Sequence, residues 1–388
     1  TDEQSWADCV TAPPDGYQDD DSGSSVKISS AEGLAWFARL VNQGDSFAGK
    51  TVVLTNSLDL SAHQWVPIGT SQHPFAGTFD GKGNTISGMT MAVSEAVPLA
   101  GLFGVVSTAA IQNVVLAEST VSGSATGTKE AACELKIGGI AATNTEKIPV
   151  TVKNCTVELS VTLATTGYVT VNIGGVLGYV EDGTGSYATI TDTNVSLSMQ
   201  QTAEEGFYRT MAGAAIGSLN NSKNTTTIQN CSLSLSGTMT GGGFISGYPS
   251  GSTAGAVIQI GGAVGVTPTT GSGSEPPVVL LERTSCDSTL DFTGAEETLE
   301  SFTTLCDTEI GGFFGRASYS TIRSSFAKME LKSQTENGYF GNIAGNWADI
   351  REAEWSNVYT YAVQAGKQCT RPVHTSFRPY STIRFNSV

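Results

Sequence analysis

From about residue 100 onward the chain alternates between two kinds of short apolar segment, and the alternation repeats. The first kind is flanked by glycine: Gly101-Leu102-Phe103-Gly104, Ile137-Gly138-Gly139-Ile140, Ile173-Gly174-Gly175-Val176-Leu177-Gly178, Ala212-Gly213-Ala214-Ala215-Ile216-Gly217, Ile260-Gly261-Gly262-Ala263-Val264-Gly265 and Ile310-Gly311-Gly312-Phe313-Phe314-Gly315, with a degenerate copy at Asn342-Ile343-Ala344-Gly345. The second kind follows each copy: Ile111-Gln112-Asn113-Val114-Val115-Leu116, Val152 to Val157, Ile190 to Val195, Ile228 to Leu233, Leu281 to Cys286, Ile322 to Ala327 and Ala353 to Val358. Its positions one, four and six are apolar or small, while two and three are polar. The step from one to four breaks a period of two and marks a corner, after which alternate positions read as a strand.

One such unit of short strands cannot bury its apolar side alone. Stacking units about 4.8 Å apart gives a continuous core with side-chain ladders, and seven make a body of roughly 35 Å. In that arrangement Ile111, Val152, Ile190, Ile228 and Ile322 lie inside and stack on one another. Connections of uneven length, at 240 to 256, 267 to 277 and 291 to 307, leave as surface loops. The open ends of a stack expose unpaired strand edges and need caps. Ser29-Ser30-Ala31-Glu32 reads as a capping box, and Leu34, Phe37, Ala38 and Val41 recur at helical spacing. A helix is therefore predicted over 30–41, followed by a strand over Thr51 to Leu60 and by two short strands around the turn Asp80-Gly81-Lys82-Gly83-Asn84. The expected organisation is an acidic flexible arm over 1–25, an N-terminal cap and first strands over 26–100, parallel β-helix repeats over 101–360, and a basic C-terminal cap segment over 361–388.

Composition strengthens this all-β, β-solenoid reading. Glycine supplies 45 of 388 residues and charged residues only 14%, whereas about 25% charged is usual. Hydrophobic residues still reach 39%, enough for a large core. The net charge of −16 repels phosphate backbones, which argues against nucleic acid as a partner. Residues 1–25 hold seven acids and no Lys or Arg, which reads as a solvated arm, while 361–388 hold Lys367, Arg371, Arg378 and Arg384 and no acid. No run of about 18 apolar residues predicts a membrane span. Neither a charged n-region nor an apolar h-region opens the chain at Thr1, so the expectation is that any signal peptide was removed or never present. Seven cysteines (Cys9, Cys133, Cys155, Cys231, Cys286, Cys306 and Cys369) are widely spaced without a C-x-x-C, which fits neither a disulfide scaffold nor a zinc site.

The segments Leu34-Ala35-Trp36-Phe37-Ala38, Phe47 to Val52, Leu58-Asp59-Leu60-Ser61, Trp65-Val66-Pro67-Ile68-Gly69, Phe79 to Gly88 and Gly101-Leu102-Phe103-Gly104 resemble the GLUG-motif repeat proteins, found mainly in secreted or wall-attached proteins of bacteria, including gut commensals. The resemblance covers about residues 28 to 120 closely and the later copies more loosely, where Leu gives way to Gly, Ala or Phe. It implies a right-handed parallel β-helix outside the cell and carries no catalytic residues with it. The expected fold is thus all-β, a right-handed parallel β-helix from about 50 to 360 with a short N-terminal capping helix.

Parallel β-helices also host polysaccharide lyases and hydrolases, which need paired carboxylates or a positioned base. Asp192, Glu282, Arg283, Arg323 and Glu354 fall at exposed repeat positions in different copies, where solubility explains them equally well. Asp80 serves its turn. His63, His73 and His374 lie near turns without metal spacing. Cys155 and Cys231 share one inward position, two repeats apart and so roughly 9–10 Å, beyond the about 7 Å a disulfide allows; free thiols are expected there and no pairing is predicted for Cys9, Cys133, Cys286, Cys306 or Cys369. Asn113, Asn154 and Asn230 share the corner, where amides can form a hydrogen-bonded ladder. Tyr168, Tyr187, Tyr208, Trp347 and Tyr361 are contact candidates, with core or cap packing equally open for each. The sequence therefore assigns no catalytic, ligand-binding or metal residue and no cofactor. It favours a monomeric cell-surface or secreted adhesion or interaction module that binds glycan or an extracellular protein. A polysaccharide-active enzyme and a structural stalk are the alternatives.

Overall fold

The computed structural model describes residues 4–20, 22–145, 149–181, 187–204, 208–220, 224–241, 257–268, 278–295, 307–332, 339–347, 354–364, 367–368, 373–374 and 384–386. These residues are mostly β, and nearly all their strands belong to three sheets dominated by parallel pairing. A broad sheet has 21 strands, and the other two have seven and eight. One repeat places Cys133–Gly138 in the seven-stranded sheet, Ala141–Asn144 in the eight-stranded sheet, and Val150–Lys153 and Thr156–Gly167 in the broad one. The next supplies Val169–Gly174, Leu177–Val180, Ala188–Thr191 and Asn194–Ala203, each parallel to its counterpart.

In-register pairing turns position one into a ladder of Ile111, Val152, Ile190, Ile228, Leu281 and Ile322, all buried, as the pattern of apolar positions predicts. The ladder reaches further than expected, beginning at Val26, Val52 and Phe79 and running through Trp355 to Phe385. The seventh copy therefore starts at Trp355 and not at Ala353, a shift of two residues. A second ladder of Ile137, Ile173, Ala212, Ile260 and Ile310 comes from the glycine-flanked segments.

Each repeat turns two kinds of corner. At the glycine corner, a Cβ built on Gly174 would stand 1.8 Å from the Leu177 carbonyl oxygen and 2.9 Å from the Gly217 nitrogen, so no side chain fits. At the other corner the third repeat position takes a left-handed conformation in every copy: Asn113, Asn154, Asp192, Asn230, Arg283, Ser324 and Asn357 have φ between 47° and 55°. Asn and Asp tolerate that region best, which is why they dominate there. The predicted amide ladder is present but alternates partners. Asn154 Nδ2 donates to Asn113 Oδ1 (2.7 Å), Asn230 Nδ2 to Asp192 Oδ1 (3.0 Å) and Arg283 Nε to Asn230 Oδ1 (2.8 Å).

At position four, cysteine alternates with threonine. The Thr193 and Thr284 hydroxyls accept from the backbone N–H of Cys155 and Cys231 and donate to carbonyls two residues back. Cys9, Cys133, Cys155, Cys231 and Cys286 are free thiols; Cys306 and Cys369 lie outside the described residues.

Three expectations at the ends need correction. The helix is Ala31–Asn42, and its N-cap is Ser30, whose hydroxyl accepts from Gly33; the reciprocal bond expected of Glu32 is not made. Its apolar face of Leu34, Phe37, Ala38 and Val41 is buried as predicted. The strand expected over Thr51 to Leu60 divides into Thr51–Leu54 and Leu58–Asp59. The segment 1–25 is not free of the body. Trp6 is buried and donates its Nε1–H to the Leu60 carbonyl at 3.0 Å, Val10 is buried, and Tyr17–Asp19 pairs antiparallel with Ser25–Ile28. A short helix, Trp6–Cys9, carries the reciprocal capping box there, between Ser5 and Asp8. Three apolar side chains among many acids suffice because each covers the end of the core. The expected C-terminal cap and the three long connections fall largely outside the described residues.

Two outcomes follow from this packing. Gly174→Ala forces backbone displacement and is expected to lower unfolding free energy by about 3 kcal/mol or more, read as a shifted urea midpoint. Burial raises the thiol pKa of Cys155 and of Cys231 to about 11 and pushes that of Cys286 higher still. Among the five described thiols a reagent applied to the native protein should therefore label only exposed Cys9, with the others reacting after unfolding.

Candidate functional site

Because the glycine corner brings two strands close together, the outward side chains beside it face one another across a groove. One wall, from the seven-stranded sheet, carries Lys136, Asn172, Met211, Gln259 and Glu309 in register. The other, from the eight-stranded sheet, carries Thr143, Tyr179, Ser218, Val266 and Arg316. Interior positions repeat along the stack, but these columns do not.

The walls are tied together by polar contacts. Ser218 Oγ donates to Asn172 Oδ1 at 2.5 Å, and Asn172 Nδ2 donates to Glu134 Oε1 at 3.2 Å. Lys136 pairs with Glu181 at 2.7 Å and lies 4.1 Å from the Tyr179 ring centroid. Glu309 is fully buried: its Oε1 accepts from Arg316 Nε (3.0 Å) and Nη2 (2.5 Å), and its Oε2 from Gln259 Nε2 (2.6 Å). Between these fixed ends the groove holds about 530 Å³, lined by Thr170, Tyr179, Arg209, Met211, Gln259 and Arg316 among others.

A second surface lies on the broad sheet. Three successive long strands present Thr156, Glu158, Ser160, Thr162 and Ala164; Asn194, Ser196, Ser198, Gln200 and Thr202; and Ser232, Ser234, Ser236, Thr238 and Thr240 outward. Only Glu158 among these is charged. At the far end of the same face Phe326 pairs in register with Tyr359, and Lys328 with Tyr361. Phe326, Tyr359 and Tyr361 are 43%, 66% and 49% exposed.

The candidates taken from sequence fall elsewhere. Asp192 and Arg283 belong to the corner ladder, and Glu282 accepts from Gln229 Nε2 at 3.0 Å and pairs with Arg283. Arg323 continues that column beside Glu282, and the side chain of Glu354 lies outside the described residues. His63 stacks edge-on to Trp6 at 4.9 Å, His73 closes a turn with Thr70, and the His374 side chain is not described. Tyr168 is buried against Tyr208 at 5.0 Å, Tyr187 is half-buried, and the Trp347 side chain is not described. Tyr361 is the one sequence candidate that joins an exposed cluster. Its companions Phe326 and Tyr359 were legible in principle, since each puts an aromatic ring at repeat position five, where the earlier copies carry Thr156, Asn194, Ser232 and Ser285. The groove residues left no motif, because each repeat supplies one residue to each wall, seven positions apart across the glycine corner, and the residue types change from repeat to repeat.

Asp80 is the anchor of the corner ladder. It is buried, accepts from Asn113 Nδ2 (2.9 Å), the Lys82 backbone N–H (2.9 Å) and Gln112 Nε2 (3.1 Å), and pairs with Lys82 at 3.0 Å. Burial opposes its ionisation, but the hydrogen bonds outweigh burial and hold the pKa down from 3.8 to about 2. No protein-family model and no curated protein matches the chain.

A carboxylate with a lowered folded-state pKa contributes stability that is present above its unfolded value and is lost as pH falls through the folded one. The stability difference between wild type and Asp80→Asn should therefore be full at neutral pH and shrink between pH 3.8 and about 2, measured by urea unfolding at each pH. A difference constant across that window would remove Asp80 from this role.

Proposed function

We propose that the chain is a cell-surface or secreted bacterial adhesion or interaction module that binds glycan, built as a right-handed parallel β-helix of the GLUG-repeat kind with the Ala31–Asn42 helix as its cap. Parallel pairing between equivalent strands of successive repeats supports the β-helix reading, and a right-handed crossover is the general rule for parallel strands. The quoted GLUG-like segments support a place outside the cell. We take the chain to act as a monomer.

The observation that carries the reading is the outward face of the broad sheet. Its hydroxyl and amide side chains stand in rows about 4.8 Å apart across strands and about 6.6 Å apart along them, each able to donate and accept. Sugar hydroxyls offer the same pairing. The exposed rings of Phe326, Tyr359 and Tyr361 add a platform for the apolar face of a sugar ring, and large exposed aromatics on a polar surface mark interaction sites. With one charge among the fifteen outward positions named above, that part of the face suits a neutral polymer, and the charges nearer the rings, Lys328 and Asp287, pair with each other at 3.5 Å. For an enzyme the carboxylates at the groove are Glu134, which accepts from Asn172 and pairs with Lys136, and buried Glu309, whose oxygens are both taken up by Arg316 and Gln259.

Screening against glycan and extracellular-matrix arrays tests this. Binding to neutral polysaccharide is expected, and the double variant Tyr359→Ala with Tyr361→Ala should weaken it at least about tenfold while leaving the melting temperature in place, because both rings are exposed. Blank arrays would favour a structural stalk. Reproducible release of sugar, abolished by changing one groove carboxylate, would favour the enzyme.

A further inference from the structure

We propose that the groove at the glycine corner is a second binding site, for a carboxylated sugar residue, with Arg209 receiving the carboxylate. The proposal goes beyond the reading of the broad sheet and stands without it, since the two surfaces share no residue.

Arg209 sits on the wall formed by the seven-stranded sheet, in register between Thr170 and Val257. It is exposed, its guanidinium carbon lies 5.2 Å from the Tyr208 ring centroid, and among the described residues it has no carboxylate partner. The other charged residues lining the groove are Glu134 and Arg316. Glu134 accepts from Asn172 and pairs with Lys136 at 3.7 Å, and Arg316 is engaged by buried Glu309. Arg209 is thus the charge left to act on a ligand. In a chain of net charge −16 an anion is repelled by most of the surface, so an anion site needs a local cation of this kind.

The rest of the lining suits a sugar ring. Met211, Val257, Val266 and Pro268 give apolar surface, Tyr179 gives a ring, and Thr170 and Asn220 give polar groups. The volume of about 530 Å³ falls in the usual range for small-ligand sites, about 300–1,000 Å³. A guanidinium presents a planar fork that matches a carboxylate with two parallel hydrogen bonds. The Tyr208 ring beside it limits the orientations that fork can take.

Calorimetric titration of the full chain with trigalacturonic acid and with sialyllactose distinguishes the two sources of a sugar carboxylate, and maltotriose serves as the neutral comparator. At least one carboxylated ligand should bind, with affinity that falls as salt rises, and maltotriose should bind at least about tenfold more weakly. Arg209→Ala should lose at least about tenfold and Arg209→Lys less, because lysine keeps the charge without the fork. Saturation by neither acid, equal binding of maltotriose, or Arg209→Ala binding as tightly as wild type would each overturn the proposal. The double variant Tyr359→Ala with Tyr361→Ala should leave this titration unchanged, so failure here and failure of the broad-face reading give different results.

Discussion

In-register parallel pairing is the constraint on which the rest of the structure depends. Once equivalent strands align, every interior side chain meets its own counterpart about 4.8 Å above and below. The interior then accepts only residues that stack on one another, which is why position one holds Ile, Val or Leu through Leu281 and Ile322 and admits Phe79 and Trp355 only toward the ends. The same constraint fixes the corners, because a turn must have one shape in every repeat. One corner meets it by removing side chains. The other meets it with seven left-handed residues, a conformation costing about 1–2 kcal/mol for an ordinary residue and less for Asn or Asp. Hydrogen bonds between neighbouring corners, worth about 0.5–1.5 kcal/mol each, offset that cost, so the corner stabilises the stack as well as shaping it.

The interior was legible in the sequence because period and ladder are the same fact seen in one dimension and in three. Reading position one at Ile111, Val152, Ile190, Ile228 and Ile322 required only the spacing between an apolar residue and the corner that follows it. The reading slipped by two residues in the last repeat, where Trp355 replaces the usual aliphatic residue and Ala353 imitates it. The N-terminal segment was misjudged for a different reason. Its acids dominate any average over the window, whereas its placement depends on Trp6 and Val10 individually. Local composition reports solvation, and a single indole hydrogen-bonded to Leu60 is enough to override it.

The outward columns were far less legible, and the physics says why. Stacking restricts inward positions and releases outward ones, so a repeat-based reading averages over the residues that differ most. On the broad sheet the outward rows are mostly Ser, Thr and Asn from Thr156 through Ser285, and Asp287, Phe326, Lys328, Tyr359 and Tyr361 interrupt them toward the far end. Along the groove there is no uniformity: Lys136, Asn172, Met211, Gln259 and Glu309 follow one another on a single column. A uniform array presents the same contact at each step and fits an extended, repetitive ligand. A column that changes at every step fits one discrete ligand at one place.

The Glu309–Arg316 pair sharpens that distinction. Burying a carboxylate costs several kcal/mol, repaid only when its partners are close and well aligned, and a hydrophobic pair of similar volume serves stability as well or better. Every other buried polar side chain on these two columns, Asn172 and Ser218 among them, is neutral, and the charged Lys136–Glu181 pair keeps contact with solvent. Stability alone therefore does not account for a full charge at this point of the stack. What the pair does accomplish is positional: with Gln259 holding the second oxygen, the Arg316 guanidinium is fixed on one wall of the groove, opposite the wall that carries Arg209.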